Sequence, residues 1–227
     1  RRAVSDGLPE AEPLAADLHR VLVSPVRARL AGVRSLVIVP DGDLWLVPFP
    51  MLRGPDGTRL IEAFALSLSP SVRWATTTAP ARGSRLSPRV VVVTAAMAAD
   101  VDGRRLPALA ATGREAATVQ ALYPRATRLG RLDLTRAEVL TALRGADIFH
   151  FAGHSVVDLE NPARSRLLMS VDPTQALFSS ELAALSRAPR LVILASCESA
   201  AGRPSHTGGV ASLAAAFLAR GADAVVA

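Results

Sequence analysis

A histidine and the chain's single cysteine each follow an apolar segment of the sequence. Ile148–Ala152 leads into His154, and Leu191–Ala195 leads into Cys197. A free thiol has a pKa near 8.5, so only about 3% of it is the nucleophilic thiolate at pH 7. An imidazole within hydrogen-bond distance can accept the thiol proton and later return it to a leaving amine. These residue types therefore predict attack on a carbonyl carbon, provided that the fold brings them together.

Small residues lie next to both reactive side chains in the sequence: Gly153, Ser155, Ser196 and Ser199. They leave space for a polypeptide substrate, and the turns that contain them offer backbone N–H groups to the oxyanion that forms during the attack. We expect Gly153, Ser196 and the neighbouring Glu198 to contact the substrate.

The same residues also have purely structural interpretations. A lone cysteine that ends an apolar strand is commonly a buried core residue, and a histidine there is commonly a hydrogen-bonded polar residue. On an extended strand His150 and His154 would share one face about 13 Å apart, which does not suit one metal ion. Because the sequence has no H-E-x-x-H pattern, we expect no metal and no cofactor. We expect His150 to pack beneath the edge of the sheet.

Length and composition limit the class of protein. The chain has 227 residues, of which 50% are hydrophobic, enough for a full core in one large domain or two small ones. Disorder, a collagen-like chain and a disulfide scaffold are excluded. The longest apolar runs are shorter than the ~18 residues that span a bilayer, and no signal segment opens the chain. The single cysteine suits a reducing compartment, so we expect a cytoplasmic protein with no membrane partner.

The charge pattern argues against nucleic-acid binding. All 26 basic residues are arginine, and the formal net charge is +6. The arginines are scattered, with no run longer than Arg1-Arg2 or Arg104-Arg105 and no stripe of basic residues interleaved with aromatic ones. We therefore expect no nucleic-acid partner.

The elements that must position the two reactive residues fall into two parts. In the first part, Asp41-Gly42 lies between two short apolar strands and predicts a β-hairpin. The elements predicted there are helices within residues 11–31, strands at Arg34–Val39, Leu44–Val47 and Ala63–Ser69, and a linker at Thr76–Pro88.

Beyond Arg89, strands alternate with helices. Two capping boxes, Thr112–Glu115 and Thr135–Glu138, predict helix starts. Apolar strands separated by amphipathic helices predict an α/β fold, a mostly parallel sheet with helices on both faces. Ligand sites of such sheets lie beyond the carboxyl ends of the strands, so we expect His154 and Cys197 at the same edge. The predicted strands are Arg89–Thr94, Asp147–Ala152, Leu167–Val171, Leu191–Ala195 and one from Ala224, and the predicted helices are Thr112–Leu122, one from Thr135 that ends at Gly145, one near Ser180–Leu185 and one from Val210 that ends at Gly221.

Several segments match, in order, the motifs of one known family. They are Leu36–Leu52, Leu106–Leu122, Asp147–Ser155 (DIFHFAGHS), Asn161–Ser170, Leu191–Gly202 (LVILASCESAAG) and Gly208–Ala227. On these segments the chain resembles the CHAT domain, a caspase-like family related to separase. The resemblance extends from about Val33 to Ala227, and the histidine and cysteine segments are its most specific part.

The resemblance implies a caspase-like, separase-like fold and a cysteine endopeptidase with a His–Cys dyad, here His154 and Cys197. It also implies that the backbone amides of Ser155 and Cys197 bind the oxyanion. The family usually has glycine where this chain has Ser155. A left-handed backbone at that position would be harder for serine than for glycine.

The resemblance also implies the domain organisation and the partners. We expect residues 33–227 to form the CHAT domain, with its C-terminal part incomplete. In the expected fold, a β-hairpin and an N-terminal helix precede the parallel sheet. Residues 1–32 fit a helical segment that joins an upstream helical region. Members of the family often carry tetratricopeptide repeats and act in bacterial defence or cell death. The expected partners are a protein substrate and a regulatory helical-repeat region or partner protein.

Two functions of different classes remain open on the sequence. The leading hypothesis is a partner-regulated bacterial effector that cleaves a protein through its His–Cys dyad. The alternative is a catalytically inactive caspase-like interaction module. A His154 imidazole that faces the Cys197 sulfur would favour the enzyme. A third hypothesis, a small-molecule-binding α/β domain, would require a deep apolar pocket away from both residues.

Overall fold

The chain divides into two units, and the second contains the parallel sheet that positions His154. The structure, a computed structural model, describes residues 11–76, 86–158, 160–196, 203–205, 209–211 and 213–227. The first unit comprises Arg1–Thr77 with Pro204–Gly209, and the second comprises Thr78–Arg203 with Val210–Ala227.

The described helices and strands are as follows. The α-helices are α1 (Ala11–Leu22), α2 (Leu60–Ala63), α3 (Val72–Thr76), α4 (Thr112–Leu122), α5 (Arg136–Leu143), α6 (Ser179–Ala183) and α7 (Leu213–Ala219). The strands are β1 (Ser35–Ile38), β2 (Ala65–Leu68), β3 (Val90–Thr94), β4 (Ala99–Val101), β5 (Arg104–Leu106), β6 (Thr127–Leu129), β7 (Ile148–Ala152), β8 (His154–Val156), β9 (Arg166–Leu168), β10 (Leu177–Phe178), β11 (Leu191–Ala195), β12 (Arg203–Ser205), β13 (Gly209–Ala211) and β14 (Ala224–Val226). Short 3-10 helices occupy Ser24–Leu30, Gly42–Leu46, Phe49–Met51, Pro162–Arg164 and Pro173–Gln175.

The central sheet of the second unit has the strand order β14-β11-β7-β3-β6. All neighbouring strands in it are parallel, which confirms the predicted parallel sheet. In the middle of the sheet, Ala152 at the end of β7 lies between Thr94 of β3 and Ala195 of β11. The three central strands therefore end level with one another. The segments that follow them begin at one common edge.

Alternate residues of the central strands pack against helices on opposite faces of the sheet, as a strand's two-residue period requires. On one face, Val90 and Val92 form a cluster with Ala116, Val119 and Tyr123 at α4. On the other face lies the larger core, whose biggest fully buried side chains include Phe149 and Phe151 of β7 and Phe217 of α7. A fully buried residue of this size contributes about 1.5–3 kcal/mol to the free energy of unfolding. The helices on both faces are those that the sequence predicted.

A second, three-stranded sheet with the order β10-β9-β8 follows the central one in the chain. Its pairs are antiparallel, with His154 opposite Leu168. The hairpin of β4 and β5 contributes Val101 to a small cluster with Leu168 and Ala176. This hairpin turns at Asp102-Gly103, where both residues have positive φ, as the two-residue turn preferred by hairpins requires.

In the first unit, the predicted hairpin at Asp41-Gly42 is wrong. Asp41 has φ −124°, outside the left-handed region that such a turn needs, and its carboxylate accepts the Gly42 amide at 3.0 Å. The predicted strand Leu44–Val47 is instead largely a 3-10 helix, Gly42–Leu46, whose hydrogen bonds are local. β1 pairs in parallel with β2, which lies within the predicted strand Ala63–Ser69.

The predicted capping box at Thr112–Glu115 is also wrong, although the helix itself runs from Thr112 to Leu122 as predicted. The cap residue is Ala111, without a side-chain hydrogen bond, and the Thr112 hydroxyl donates to the Leu109 carbonyl at 3.0 Å. The second box, Thr135–Glu138, is confirmed by its reciprocal bonds.

None of the helices in the described part of the chain combines the length and the apolar composition that a membrane span needs.

Candidate functional site

The end of β7 is tied to both neighbouring strands. The Ala95 amide donates to the Ala152 carbonyl at 2.9 Å, and the Gly153 amide donates to the Ala195 carbonyl at 3.3 Å. Both bonds continue the parallel ladder by one residue beyond the strands. They fix the backbone immediately before His154.

Gly153 is the residue that lets the chain pass from β7 into β8. A Cβ atom at this position would lie 2.7 Å from Phe151 Cζ and 2.9 Å from Ala95 Cβ, closer than real Cβ contacts. Phe151 is fully buried, so its ring has no space into which it could move. Only glycine fits here without a shift of the core, and the close packing fixes where His154 begins β8.

The His154 ring is held by a backbone carbonyl. The residue is 8% exposed, and its Nε2 lies 2.7 Å from the carbonyl oxygen of Pro107. A carbonyl oxygen can only accept, so Nε2 carries the proton and donates it. In the neutral ring Nδ1 is then unprotonated, and its lone pair can accept a proton. A base whose other nitrogen is fixed by an acceptor is the arrangement that nucleophilic catalysis requires.

Pro107 is held at one side by the β4–β5 hairpin, since β5 ends at Leu106. The hairpin is attached to β9 through the Asp102 carboxylate, which accepts from the Arg166 guanidinium at 2.7 Å. The same guanidinium lies 6.0 Å from the centre of the Phe178 ring. Asp102 thus serves both the turn and the attachment of the hairpin.

Sequence reasoning found the segment that contains Pro107 but not the role of its carbonyl. A backbone carbonyl is present at every residue, so its use as a hydrogen-bond partner leaves no signal in the residue type. Only its neighbourhood, the segment Leu106–Leu122, could have drawn attention to it.

The strand that leads to the cysteine ends in the predicted place. β11 covers Leu191–Ala195, and the half-buried Ser196 follows with its amide bonded to the Leu194 carbonyl at 2.9 Å. The hydrogen bond from the Gly153 amide to the Ala195 carbonyl joins the ends of β7 and β11, and Ser196 is the next residue after Ala195. Cys197 and Glu198 lie outside the residues that the structure describes, as does most of the predicted linker Thr76–Pro88.

Ser155 occupies an ordinary position in β8. It lies opposite Leu167 of β9 and is half-buried. Among the described residues, Asp102 is the one non-glycine residue with positive φ. Serine in place of the family's glycine therefore requires no left-handed backbone at residue 155.

His150, four residues before His154, faces helix α4. It is 5% exposed, as expected for a residue packed beneath the edge of the sheet. Its Nε2 lies 2.8 Å from Glu115 Oε1. Glu115, which was predicted to cap α4, thus has a hydrogen-bond partner 35 residues away in the sequence. This contact was not predicted, because the pattern around Glu115 favours a local cap.

The strongest pKa shift belongs to helix α5. The hydroxyl and amide of Thr135, followed by the Arg131 guanidinium, lower the pKa of Glu138 to about 2. In α1, burial lowers the pKa of His19 below its ordinary value, and nearby Arg27 lowers it further. Both groups belong to elements other than the candidate site.

Comparison with known proteins relates this chain to one domain family and to longer proteins. The tetratricopeptide repeat protein 28 of Homo sapiens is 27% identical over 162 residues, which cover 63% of this chain and 6% of the human protein. Its counterpart in Mus musculus is 27% identical over 271 aligned positions, which cover 95% of this chain and 11% of the mouse protein. The chain therefore spans about a tenth or less of the length of these relatives.

The match to a family covers almost the whole chain. The sequence model of the CHAT domain matches residues 12–227, which include β7, β11 and the segments that follow them. The five-stranded parallel sheet is compatible with the caspase-like fold that this family implies. The chain belongs to the CHAT domain family, within the caspase-like peptidase clan.

Proposed function

We propose that the chain is a cysteine endopeptidase in which Cys197 is the nucleophile and His154 is the general base. The observation that carries the proposal is the hydrogen bond from His154 Nε2 to the Pro107 carbonyl. It leaves Nδ1 as the nitrogen that can accept a proton at the carboxyl edge of a parallel sheet, where active sites of such folds lie.

Chain geometry supports the pairing of the two residues. Ala152 and Ala195 are register partners on adjacent strands, which lie about 5 Å apart. His154 follows the first by two residues, and Cys197 follows the second by two residues. The same short stretch of sequence, about 7 Å long at most, therefore separates each residue from one of two neighbouring strand ends.

The proposed reaction uses these groups as follows. Nδ1 of His154 accepts the thiol proton of Cys197, and the thiolate attacks the scissile carbonyl carbon. The backbone amides of Ser155 and Cys197 stabilise the oxyanion of the tetrahedral intermediate. The imidazolium returns its proton to the amine nitrogen as the C–N bond breaks, leaving a thioester. Water, activated by the same imidazole, then hydrolyses the thioester and frees the thiol.

The substrate of the proposed reaction is a polypeptide. Gly153 and Ser196 lie beside the bond that joins the ends of β7 and β11, and we assign them to substrate contact together with Glu198. The relatives are named for tetratricopeptide repeats, and this chain covers a small part of them. We therefore propose regulation by a helical-repeat region or a partner protein. A role in bacterial defence stays a prediction from the family.

A cleavage screen in cells tests the proposal. The full-length protein and its Cys197→Ala variant are expressed, and new protein N-termini are identified by mass spectrometry. We expect N-termini that depend on Cys197. Their absence, together with a Cys197 that iodoacetamide alkylates no faster than a buried thiol, would favour the inactive interaction module. Mass spectrometry of the peptide that contains Cys197, the single cysteine of this chain, measures the extent of alkylation at this site.

A further inference from the structure

The contact between Glu115 and His150 has no part in the dyad, yet it lies in the same short stretch of structure. His150 Nε2 is 2.8 Å from Glu115 Oε1. Its other nitrogen, Nδ1, is buried and has no hydrogen-bond partner in the described part of the chain. An N–H there would be an unsatisfied buried donor, which is costly. A proton on Nε2 lets that nitrogen donate to the Glu115 carboxylate and leaves a lone pair rather than an N–H on the buried Nδ1.

The segment from Pro107 to Glu115 accepts hydrogen bonds from two histidines on consecutive strands of different sheets, β7 and β8. Its first residue accepts from His154 and its last residue accepts from His150. Between them, the Leu109 amide donates to the Ala96 carbonyl at 2.8 Å. Within the segment, the Thr112 hydroxyl donates to the Leu109 carbonyl at 3.0 Å, and this bond couples the residues after Pro107 to the first turn of α4.

Little apolar burial holds this segment in place. Pro107, Ala108, Ala110 and Ala111 are exposed, while the apolar contact of α4 with the sheet begins at Ala116. Apolar packing thus holds the middle of the helix on the sheet. The position of its first turn depends on polar contacts, among them the bond from Glu115 to the buried His150 ring.

We propose that Glu115 is a positioning residue for His154. By holding the first turn of α4 against His150, it fixes the Pro107 carbonyl that keeps the proton on His154 Nε2 and leaves Nδ1 free to accept one. Loss of this anchor lets His154 populate the opposite tautomer, in which Nδ1 carries the proton and cannot accept another. The catalytic consequence rests on the proposed endopeptidase function, whereas the tautomer does not.

The test measures the tautomer of His154 directly. The full-length protein is labelled with ¹⁵N-histidine, and long-range ¹H–¹⁵N spectra distinguish a protonated Nε2 from a protonated Nδ1. The His154 signal is identified by its loss in His154→Gln. We expect protonated Nε2 in the wild type and a mixture of both tautomers in Glu115→Ala. Glu115→Gln, which can still accept from His150, should restore the wild-type spectrum.

A matched control separates positioning from general loss of stability. Glu181 is likewise a glutamate at a helix start, where it accepts the backbone amide of Phe178 at 3.0 Å and pairs with Arg136 at 3.0 Å. Glu181→Ala should disturb α6 to a similar degree and leave the His154 spectrum unchanged. If Glu115→Ala does not fold, Glu115→Asp keeps the charge while its carboxylate is withdrawn by one methylene, and it should show the same mixture.

Activity provides a second, separable readout. Where Cys197-dependent cleavage is present, Glu115→Ala should lower kcat by about 10- to 100-fold with little change in KM, as expected for a small displacement of a catalytic group. A folded Glu115→Ala or Glu115→Asp protein with the wild-type His154 tautomer would overturn the inference. If wild type and Cys197→Ala are equally inactive, the proposed function fails while the tautomer comparison still decides this inference.

Discussion

Helices α4 and α5 both begin at a Thr-x-x-Glu sequence, but the glutamate makes different hydrogen bonds in each. In α5, Thr135 and Glu138 cap the helix reciprocally, with the Thr135 amide 2.9 Å from Glu138 Oε2. In α4, Glu115 leaves the cap unmade and accepts instead from His150 of the central sheet. The comparison shows that a local pattern can specify where a helix starts while the tertiary structure decides what its charged residue does.

The difference follows from what lies next to each glutamate. Arg131 donates to Glu138 at 2.9 Å and supports the local cap from the solvent side. Glu115 faces a strand with a buried imidazole whose Nε2 needs an acceptor. An unpaired buried N–H costs about 1–3 kcal/mol, more than a typical exposed cap residue contributes. The bond to His150 therefore prevails in α4.

The largest expected effect separates the two histidines. We expect His154→Ala to lower turnover by about 100- to 10,000-fold, because proton transfer has this magnitude. His154 is nearly as buried as His150, so its loss should also cost about 1–3 kcal/mol of stability, and turnover is what distinguishes the two variants. We expect His150→Ala to lower the free energy of unfolding by about 1–3 kcal/mol, because it leaves a cavity and an unpaired Glu115.

The measurement is turnover of a Cys197-dependent substrate, combined with denaturant unfolding of the same samples. A folded His150→Ala protein without activity, beside an active His154→Ala protein, would reverse the assignment of the two roles. Glu115 of α4 would then be the hydrogen-bond partner of the catalytic base.

A smaller change in stability is expected from two glycine substitutions, one at the crowded end of β7 and one at the open start of α4. Gly153→Ala would place a Cβ 2.7 Å from Phe151 Cζ, so we expect a loss of about 1–3 kcal/mol from overpacking. Gly113→Ala, in the first turn of α4, meets no atom within 4 Å and should stabilise the protein by about 0.5 kcal/mol. Urea unfolding of both variants is the measurement. Equal destabilisation by the two substitutions would show that the start of α4 is packed as tightly as the end of β7.

The smallest effect concerns pH and the cap of α5. Hydrogen bonds from Thr135, followed by Arg131, lower the pKa of Glu138 from 4.5 to about 2 in the folded protein. A lowered pKa means that the ionised form stabilises the fold at pH above 4.5 and that this contribution is lost as the pH falls toward 2. Glu138→Gln should therefore have a lower Tm than wild type near neutral pH. The difference in Tm should vanish as the pH approaches 2, and a difference that stays constant over this range would contradict the assignment.

The pattern of the sequence was sufficient for much of the fold. β11 begins and ends where the apolar run Leu191–Ala195 predicts, and α4 has the predicted limits. These elements follow from side-chain periodicity and from bonds between residues a few positions apart, which the order of residues contains directly. The family and the candidate histidine could also be predicted, because both depend on motifs in the order of residues.

The choice between identical local signals was decided by the tertiary structure. Asp41-Gly42 and Asp102-Gly103 are the same dipeptide, but only the second forms a hairpin, because its flanking strands pack on the sheet that contains β9. Likewise, the partner of His150 is 35 residues away and the partner of His154 is 47 residues away. Such contacts form only when distant segments meet in the folded chain. The order of residues therefore specifies the central strands β3, β7 and β11, helices α4 and α5 and the reactive residue types. Which nitrogen of His154 carries the proton depends on a contact that forms only in the folded chain.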